Sequence, residues 1–340
     1  MNFIEELDGQ LAPAEAVFAA LSRAEDVVSR LDERVRGCGF SEGWRSRADV
    51  RAVIGAMARE GHGVHPEDLI LHDLGADVRL PDSTVVRARQ LLQARRRAAS
   101  GGEELLSWAG VAWLCGEARQ APPPGRRPST AIPGVRPVHL GYAGIVSVLA
   151  ALSKGEAASG RPGVEECLAI FDLSDLPPLL AAATFLEAWR LVEPLPRHRP
   201  IGALVTGLFL KTVGRFSNGL FPVEVALSRR PMPGRLAWSG PGERLVYWLG
   251  TFELAARLEL EELTRLTNQK ALIERKAAGG RRSSRAPQLA ALALNTPVIT
   301  TESVTRALGV TPQASLQLIG RMGASLHEIT GRSRFRVWRL

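Results

Sequence analysis

The sequence predicts a mainly α fold with a small β-hairpin at its C-terminal end, and three observations predict it. Apolar residues recur at helical spacing through most of the 340 residues, and Gly or Pro bounds nearly every such run. Only after residue 325 does the pattern become a short alternating one. A composition of 45% hydrophobic and 23% charged residues is ordinary for a globular chain, long enough for one large core or a few modest ones.

Residues 13–36 place Val17, Leu21, Val28 and Leu31 on a helical period, with Pro13 positioned to start the helix and Gly37 to stop it. Residues 49–60, 84–99 and 103–117 continue the helical reading, the last anchored by Leu106, Trp108 and Trp113, so residues 1–120 form a helical N-terminal region. Five prolines in the fourteen positions 121–134 sustain neither helix nor central strand and predict a linker.

A second helical domain, residues 135–241, holds helices over 141–154, 164–171 and 175–191, with Asp175 as N-cap and Pro177 and Pro178 in the opening turn. Residues 198–213 are apolar nearly all round, the pattern of a buried helix, and 214–241 read as irregular. A long connecting helix follows over 242–278, with Leu245, Leu249, Phe252, Ala256, Leu263, Leu266 and Ile273 as its apolar stripe. That stripe fits a dimer seam or a helix packed on its own domain. Two glycines and three arginines make residues 279–286 a basic hinge.

Residues 287–340 carry the most specific local pattern. A short helix over 287–295 offers Leu289, Leu292 and Leu294 to a core, and Thr300 and Thr301 supply hydroxyl caps for a helix whose Val304, Ala307 and Leu308 share a face. Gly309 stands where a tight turn needs positive φ, with Val310 as a core plug. Thr311 then caps a second helix with Pro312 at its first position, running to about Met322 with Leu318 and Ile319 turned inward. Helix, glycine turn and capped second helix form the helix-turn-helix pattern, whose second helix lies in the DNA major groove.

After it, Leu326 and Glu328 alternate, residues 330–333 turn, and Phe335, Val337 and Leu340 share one face of a return strand; Arg334, Arg336, Trp338 and Arg339 take the other. A basic hairpin beside such a helix is a wing.

Charge supports a polyanionic partner. Residues 271–340 carry eleven Lys/Arg against three Glu and no Asp, which is the whole net charge of +8, while residues 1–270 balance. Gln313, Gln317 and Thr311 are the candidates for base edges or first-turn phosphates, since a glutamine amide pairs bidentately with adenine N6 and N7. Arg321, Arg332, Arg334 and Arg336, with Arg281, Arg282 and Arg285 of the hinge, are the candidate phosphate and wing contacts. A protein-binding winged helix is the competing reading of the module.

Other chemistry finds little support. Cys38, Cys115 and Cys167 are scattered and odd in number, which argues against disulfides or a zinc site and for a reducing cytoplasm. The acidic start carries no export signal, and the apolar runs 140–152 and 201–210 fall short of the ~20 residues that span a bilayer. His62, His65, Asp68, His72 and Asp73 cluster, but Pro66 starts a helix after the first two, so they read as a polar loop capping helix 67–71. Gly37 and Gly39 lack the strand-to-helix setting of a nucleotide fingerprint, and no GxxxxGK(S/T), GxSxG or HExxH occurs. Arg95 to Arg97, Arg126 and Arg127 read as solvated side chains, with auxiliary DNA-backbone contact as the other reading. No cofactor, metal or catalytic residue is expected.

The run RRSSRAPQLAALALNTPVITTESVTRALGVTPQASLQLIGRMG, with LHEITGRSRFRVWRL after it, resembles the helix-turn-helix DNA-binding domain that ends a family of bacterial proteins. LPPLLAAATFLEAWRLVEPLPRHRPIGALVTGLFLK, residues 176–211, resembles the domain of unknown function that precedes it there, which is related to the Fic/Doc fold. The resemblance implies a Fic-like helical body and a DNA-binding tail. Fic enzymes transfer a nucleotide monophosphate through His-x-Phe-x-(Asp/Glu)-Gly-Asn-Gly-Arg. Here His198 is followed by Arg-Pro-Ile-Gly-Ala-Leu, without the anion cradle and acidic ligand, so the body reads as degenerate and His198 as a relic or a structural residue.

The expectation is a cytoplasmic regulator of transcription that binds double-stranded DNA, acts as a homodimeric repressor, makes no membrane contact, and takes an unidentified small-molecule or protein effector. A divergent Fic-type transferase regulated through its DNA-binding tail, and an antitoxin-like interaction protein, are the alternatives.

Overall fold

The computed structural model describes residues 3–77, 80–126, 145, 149, 160–173, 176–232, 240–278, 285–331 and 336–340, with side chains from residue 14 onward. Thirteen helices among these residues are α1 (Phe3–Gly37), α2 (Ser41–Arg59), α3 (Pro66–Asp73), α4 (Ser83–Ser100), α5 (Trp108–Cys115), α6 (Arg161–Leu168), α7 (Pro178–Val192), α8 (Ile201–Thr212), α9 (Glu224–Leu227), α10 (Pro241–Ala278), α11 (Ala286–Asn295), α12 (Thr301–Leu308) and α13 (Pro312–Met322). Three short strands, β1 (Ile299–Thr300), β2 (His327–Glu328) and β3 (Val337–Arg339), form one antiparallel sheet in the order β1-β3-β2.

The chain divides into two compact units, residues 1–32 with 93–257 and residues 33–92 with 258–340. This division cuts across the segments expected from sequence, because α1, α4 and α10 each contribute to both units.

In the first unit, α7 and α8 pack on each other. Gly202 permits it: a Cβ there would stand 2.6 Å from the Trp189 indole. Phe171 stacks on Phe209 at 3.9 Å and on Phe185 at 4.5 Å between ring centroids. As expected, residues 201–210 are all buried. Buried Glu187 gathers Arg190, Arg244 at 2.8 Å and the Trp248 indole N–H at 3.0 Å, so its charge is compensated from two helices. Lys211 Nζ donates to the carbonyls of Ala99 and Gly101, satisfying the end of α4. Asp32 accepts from the backbone N–H groups of Ser217 and Asn218 and from both side chains. The three thiols are free, and burial, with Glu117 beside it, pushes Cys115 up to about 12. Burial raises Cys167 as well, so neither thiol ionises at neutral pH.

Several local expectations are corrected. Pro13 lies inside α1, because Ile4, Leu7 and Leu11 continue the helical spacing upstream of it. The helix assigned to 175–191 begins at Pro178, with Pro177 at the cap position and no side-chain cap; Asp175 lies outside the described residues. Of residues 141–154 only Ile145 and Leu149 are described, both helical and buried, and linker residues 127–134 fall outside. Arg95 is fully buried against Glu224 at 2.6 Å, so its solvated reading fails. Arg96 is exposed, and the Arg97 guanidinium stands 5.2 Å from the Trp113 ring centroid. His65 occupies the cap position of α3 but makes no side-chain cap bond, and His72 pairs instead with Asp77 at 3.1 Å.

The apolar stripe of α10 is consumed within the chain. Leu245, Leu249, Phe252, Ala256, Leu263, Leu266 and Ile273 are all buried, which decides for a helix packed on its own chain over a dimer seam.

Candidate DNA-binding surface

The second unit builds its site on short-range chemistry. The Thr300 hydroxyl accepts from the Ser303 N–H at 3.0 Å while the Ser303 hydroxyl accepts from the Thr300 N–H at 2.8 Å, a reciprocal box that fixes the start of α12. Gly309 takes φ +64°, the left-handed conformation that ends α12, and Thr311 accepts from the Ala314 N–H at 3.2 Å to open α13 behind Pro312. Fully buried Ser315 joins the two helices: its hydroxyl donates to the Thr311 carbonyl at 3.1 Å and lies 2.9 Å from the Thr305 hydroxyl. Val304 and Leu308 face the core as expected, whereas Ala307 is exposed and Val310 only half-buried.

Strand β1 was not legible in the sequence, since two residues give no alternation to read. It pairs with β3, so the expected hairpin is part of a three-stranded sheet with β3 in the middle. Thr330 closes the turn: its hydroxyl donates to Glu328 at 3.0 Å, and Gly331 takes φ +60°. Trp338 is buried, against expectation, so that Val337 and Trp338, which alternate across the central strand, are buried on both faces of the sheet.

The sequence candidates fall into three groups. Thr311, Gln313, Gln317 and Arg321 are all exposed on α13, where Gln313, Gln317 and Arg321 repeat at four-residue spacing and share one side of the helix. Ser315, Leu318, Ile319 and Met322 form the opposite, buried side. Arg285 is exposed at the cap position of α11, and Arg336 is exposed with Glu328 at 3.6 Å. Arg281, Arg282, Arg332 and Arg334 lie outside the described residues.

Residues that no local pattern flagged hold this surface in place. Arg47 of α2 donates to the carbonyls of Ala293, Leu294 and Thr296 at 2.7–2.9 Å, capping the C-terminal end of α11. Burial, with the Arg51 charge adding to it, pushes the Arg47 guanidinium down to about 10, so it remains protonated at neutral pH. Gly43, one turn earlier, presses its bare Cα against the same end. Lys276, in the last turn of α10, donates to the Met322 carbonyl at 3.0 Å and so satisfies the end of α13. Leu71 of α3 packs with Val298 and Val337 beneath the sheet, and Arg339 reaches Glu67 at 3.2 Å.

Arg51 fixes α2 to α10 through Glu259 and Glu262. Burial works to raise the Glu262 carboxyl, but the hydrogen bond from Arg265 and the charge of Arg51 prevail and hold it below its ordinary value.

His198 ends a single 3₁₀ turn, Pro196–His198, with Nε2 3.4 Å from a Glu117 carboxylate oxygen. Among the described residues, no group of three His, Cys, Asp or Glu is placed to hold a metal ion, and no helix is long and apolar enough to cross a membrane.

Fold and site together define a mainly helical, Fic-like body carrying a helix-turn-helix DNA-binding domain. Residues 166–278 match the family described as "Protein of unknown function (DUF1612)", and residues 286–340 match an HTH DNA binding domain. The first match ends where α10 ends. Over 91% of its length and 93% of the relative's, the chain is 30% identical to the uncharacterized protein y4cF of Sinorhizobium fredii (strain NBRC 101917 / NGR234). The chain belongs to the same family as y4cF. In fold it is similar to a Fic family protein from Desulfovibrio desulfuricans G20, with a TM-score of 0.50 and 14% identity over 96% of this chain and 95% of that one.

Proposed function

We propose that this chain is a sequence-specific double-stranded-DNA-binding regulator of transcription that acts in the cytoplasm as a homodimeric repressor. The observation that carries the reading is the solvent face of α13, which presents Gln313 and Gln317 without charge inside a region holding the whole +8 of the chain. Glutamine amides supply base discrimination, and Thr311 at the helix N-terminus meets a phosphate. Arg281, Arg282 and Arg285 before the domain, Arg321 after the reading face, and Arg332, Arg334 and Arg336 in the hairpin supply sequence-independent affinity. Repression needs only occupancy of a promoter. A homodimer on an inverted repeat, with half-sites about one helical turn or a multiple apart, gives the base contacts that one module lacks. With the α10 stripe buried in its own chain, the dimer uses another surface.

Selection of bound duplexes from a randomised pool, with the full chain, tests the reading. Gln313→Ala and Gln317→Ala are each expected to weaken the selected site by roughly 5- to 150-fold while leaving binding to unrelated duplex unchanged. A salt series should give a slope near −0.9 per phosphate neutralised, and Arg321→Ala should lower it by about one. Absence of duplex binding at 50 mM salt and micromolar protein (about the level of non-specific affinity) overturns the proposal, and sedimentation as a monomer on DNA overturns the dimer. The Fic-like body gives a second reading, a nucleotide transferase with His198 as base. Labelled nucleoside triphosphates decide it, since transfer lost in His198→Ala would make regulation only part of the account.

A further inference from the structure

We infer that Leu316 recognises the 5-methyl group of thymine in the major groove and that Gly320 keeps α13 bare, so that the helix backbone can approach the base edges there. This deepens the reading of the chain as a DNA-binding regulator and rests on it. Two independent features meet on one side of α13. Leu316 is 44% exposed, three residues after Gln313 and beside Gln317. A single exposed leucine needs no explanation.

Gly320 does need one. It lies one turn beyond Leu316 in the helix interior, where glycine costs stability relative to alanine. Its φ is not among the positive ones, and no atom lies within 4 Å of the position a Cβ would take. Among the described residues nothing asks for glycine at that place, in contrast to Gly43 and Gly202, where a Cβ would collide with a packed neighbour. The reason lies with something that comes closer to the helix than a side chain allows.

Gln313, Leu316, Gln317 and Gly320 together make a strip of two amides, one branched alkyl group and one gap, with no charge between residues 312 and 320. The major-groove edge of an A·T pair complements that strip, since it offers adenine N6 and N7 to an amide and the thymine methyl to an alkyl group. Charge selects duplex DNA over a protein surface as occupant: Arg321 follows the strip directly and the surrounding seventy residues hold the excess of +8.

Single replacement of each thymine by deoxyuridine in the selected duplex, read by titration with the full chain, provides the test. One thymine per half-site is expected to show roughly fourfold weaker binding without its methyl, the size for burying one such group. Leu316→Ala should bind the two duplexes equally. Gly320→Leu has room to fold and should melt no lower than the wild type, yet lose at least about tenfold in preference for the selected site over unrelated duplex, the discrimination one good base contact supplies. The inference is overturned by a selected site without thymine, by indifference to uracil at every position, by discrimination that survives in Leu316→Ala, or by unchanged preference in a folded Gly320→Leu. Each of these leaves sequence-specific binding intact, whereas failure to bind any duplex removes the regulator reading itself.

Discussion

One methyl group added at Gly43 is expected to prise the DNA-binding domain from α2. The new Cβ would stand 1.8 Å from the Leu294 carbonyl oxygen, 2.7 Å from its carbon and 2.8 Å from the Asn295 Cα, all backbone atoms that no rotamer change moves aside. Helix α2 must retreat by more than 1 Å, since Cβ atoms essentially never approach other atoms within 3.0 Å, and Arg47 retreats with it, because residues one turn apart share a face. The carbonyls of Ala293, Leu294 and Thr296 then lose their charged donor at the end of α11. Overpacking typically costs ~1–3 kcal/mol and each buried acceptor left unmade a further ~1–3 kcal/mol, so a loss of at least about 3 kcal/mol is expected. For a unit of this size that lowers the melting temperature by roughly 6–12 °C. Arg47→Ala should destabilise by a similar amount, and the double variant by much less than the sum, since both changes break one contact. Arg47→Lys should rescue little, because the three carbonyls are shared between two guanidinium nitrogens and a lysine offers one nitrogen at one point. Affinity for the selected duplex should fall in the same order as stability. A Gly43→Ala protein that melts like the wild type would show that α2 does not hold α11 in solution.

The contrast between Gly43 and Gly309 shows where sequence reasoning reaches and where it stops. Gly309 is legible because its neighbours declare the need: a helix ends before it, and Thr311 and Pro312 open another after it. The caps at Thr300 and Thr311, the bounds of α13 and the burial of Leu318 and Ile319 follow from the same short-range rules. Gly43 and Arg47 serve partners about 250 residues away, and a four-residue window around them looks like any amphipathic helix. Trp338 and Ala307 were misplaced for a related reason. Alternation predicts one wet and one dry face for a free ribbon, but the central strand buries Val337 and Trp338 on both faces, and one exposed alanine leaves the helical period nearly unchanged. The proposed reading face is half legible. Gln313 and Gln317 stand out by chemistry, whereas the meaning of Gly320 depends on knowing that its surroundings are empty.

Arg95→Ala is expected to destabilise the first unit by about 3–5 kcal/mol, the cost of stripping a buried ion pair of one partner. Arg95 and Glu224 are both buried, with Nη1 2.6 Å from the carboxylate, and the Arg95 guanidinium also faces the Leu220 carbonyl. Alanine leaves a cavity and takes the Arg95 cation from a buried carboxylate, in a medium that solvates charge poorly. The single loss and the worth of the pair are different quantities. Desolvating both groups offsets most of their attraction, so Arg95→Met combined with Glu224→Leu is expected to melt within a few degrees of the wild type. Arg96→Ala, one position along on the exposed side of α4, should change stability by no more than about 0.5 kcal/mol. Chemical denaturation of the four proteins measures all three quantities. If Arg95→Ala and the double variant lose equally, the pair stabilises the fold by net attraction; if only the single variant is impaired, the arginine is retained because its glutamate is there. Either way three consecutive arginines, alike in sequence, separate into one held in the core, one on the exposed side of the helix and one laid on Trp113.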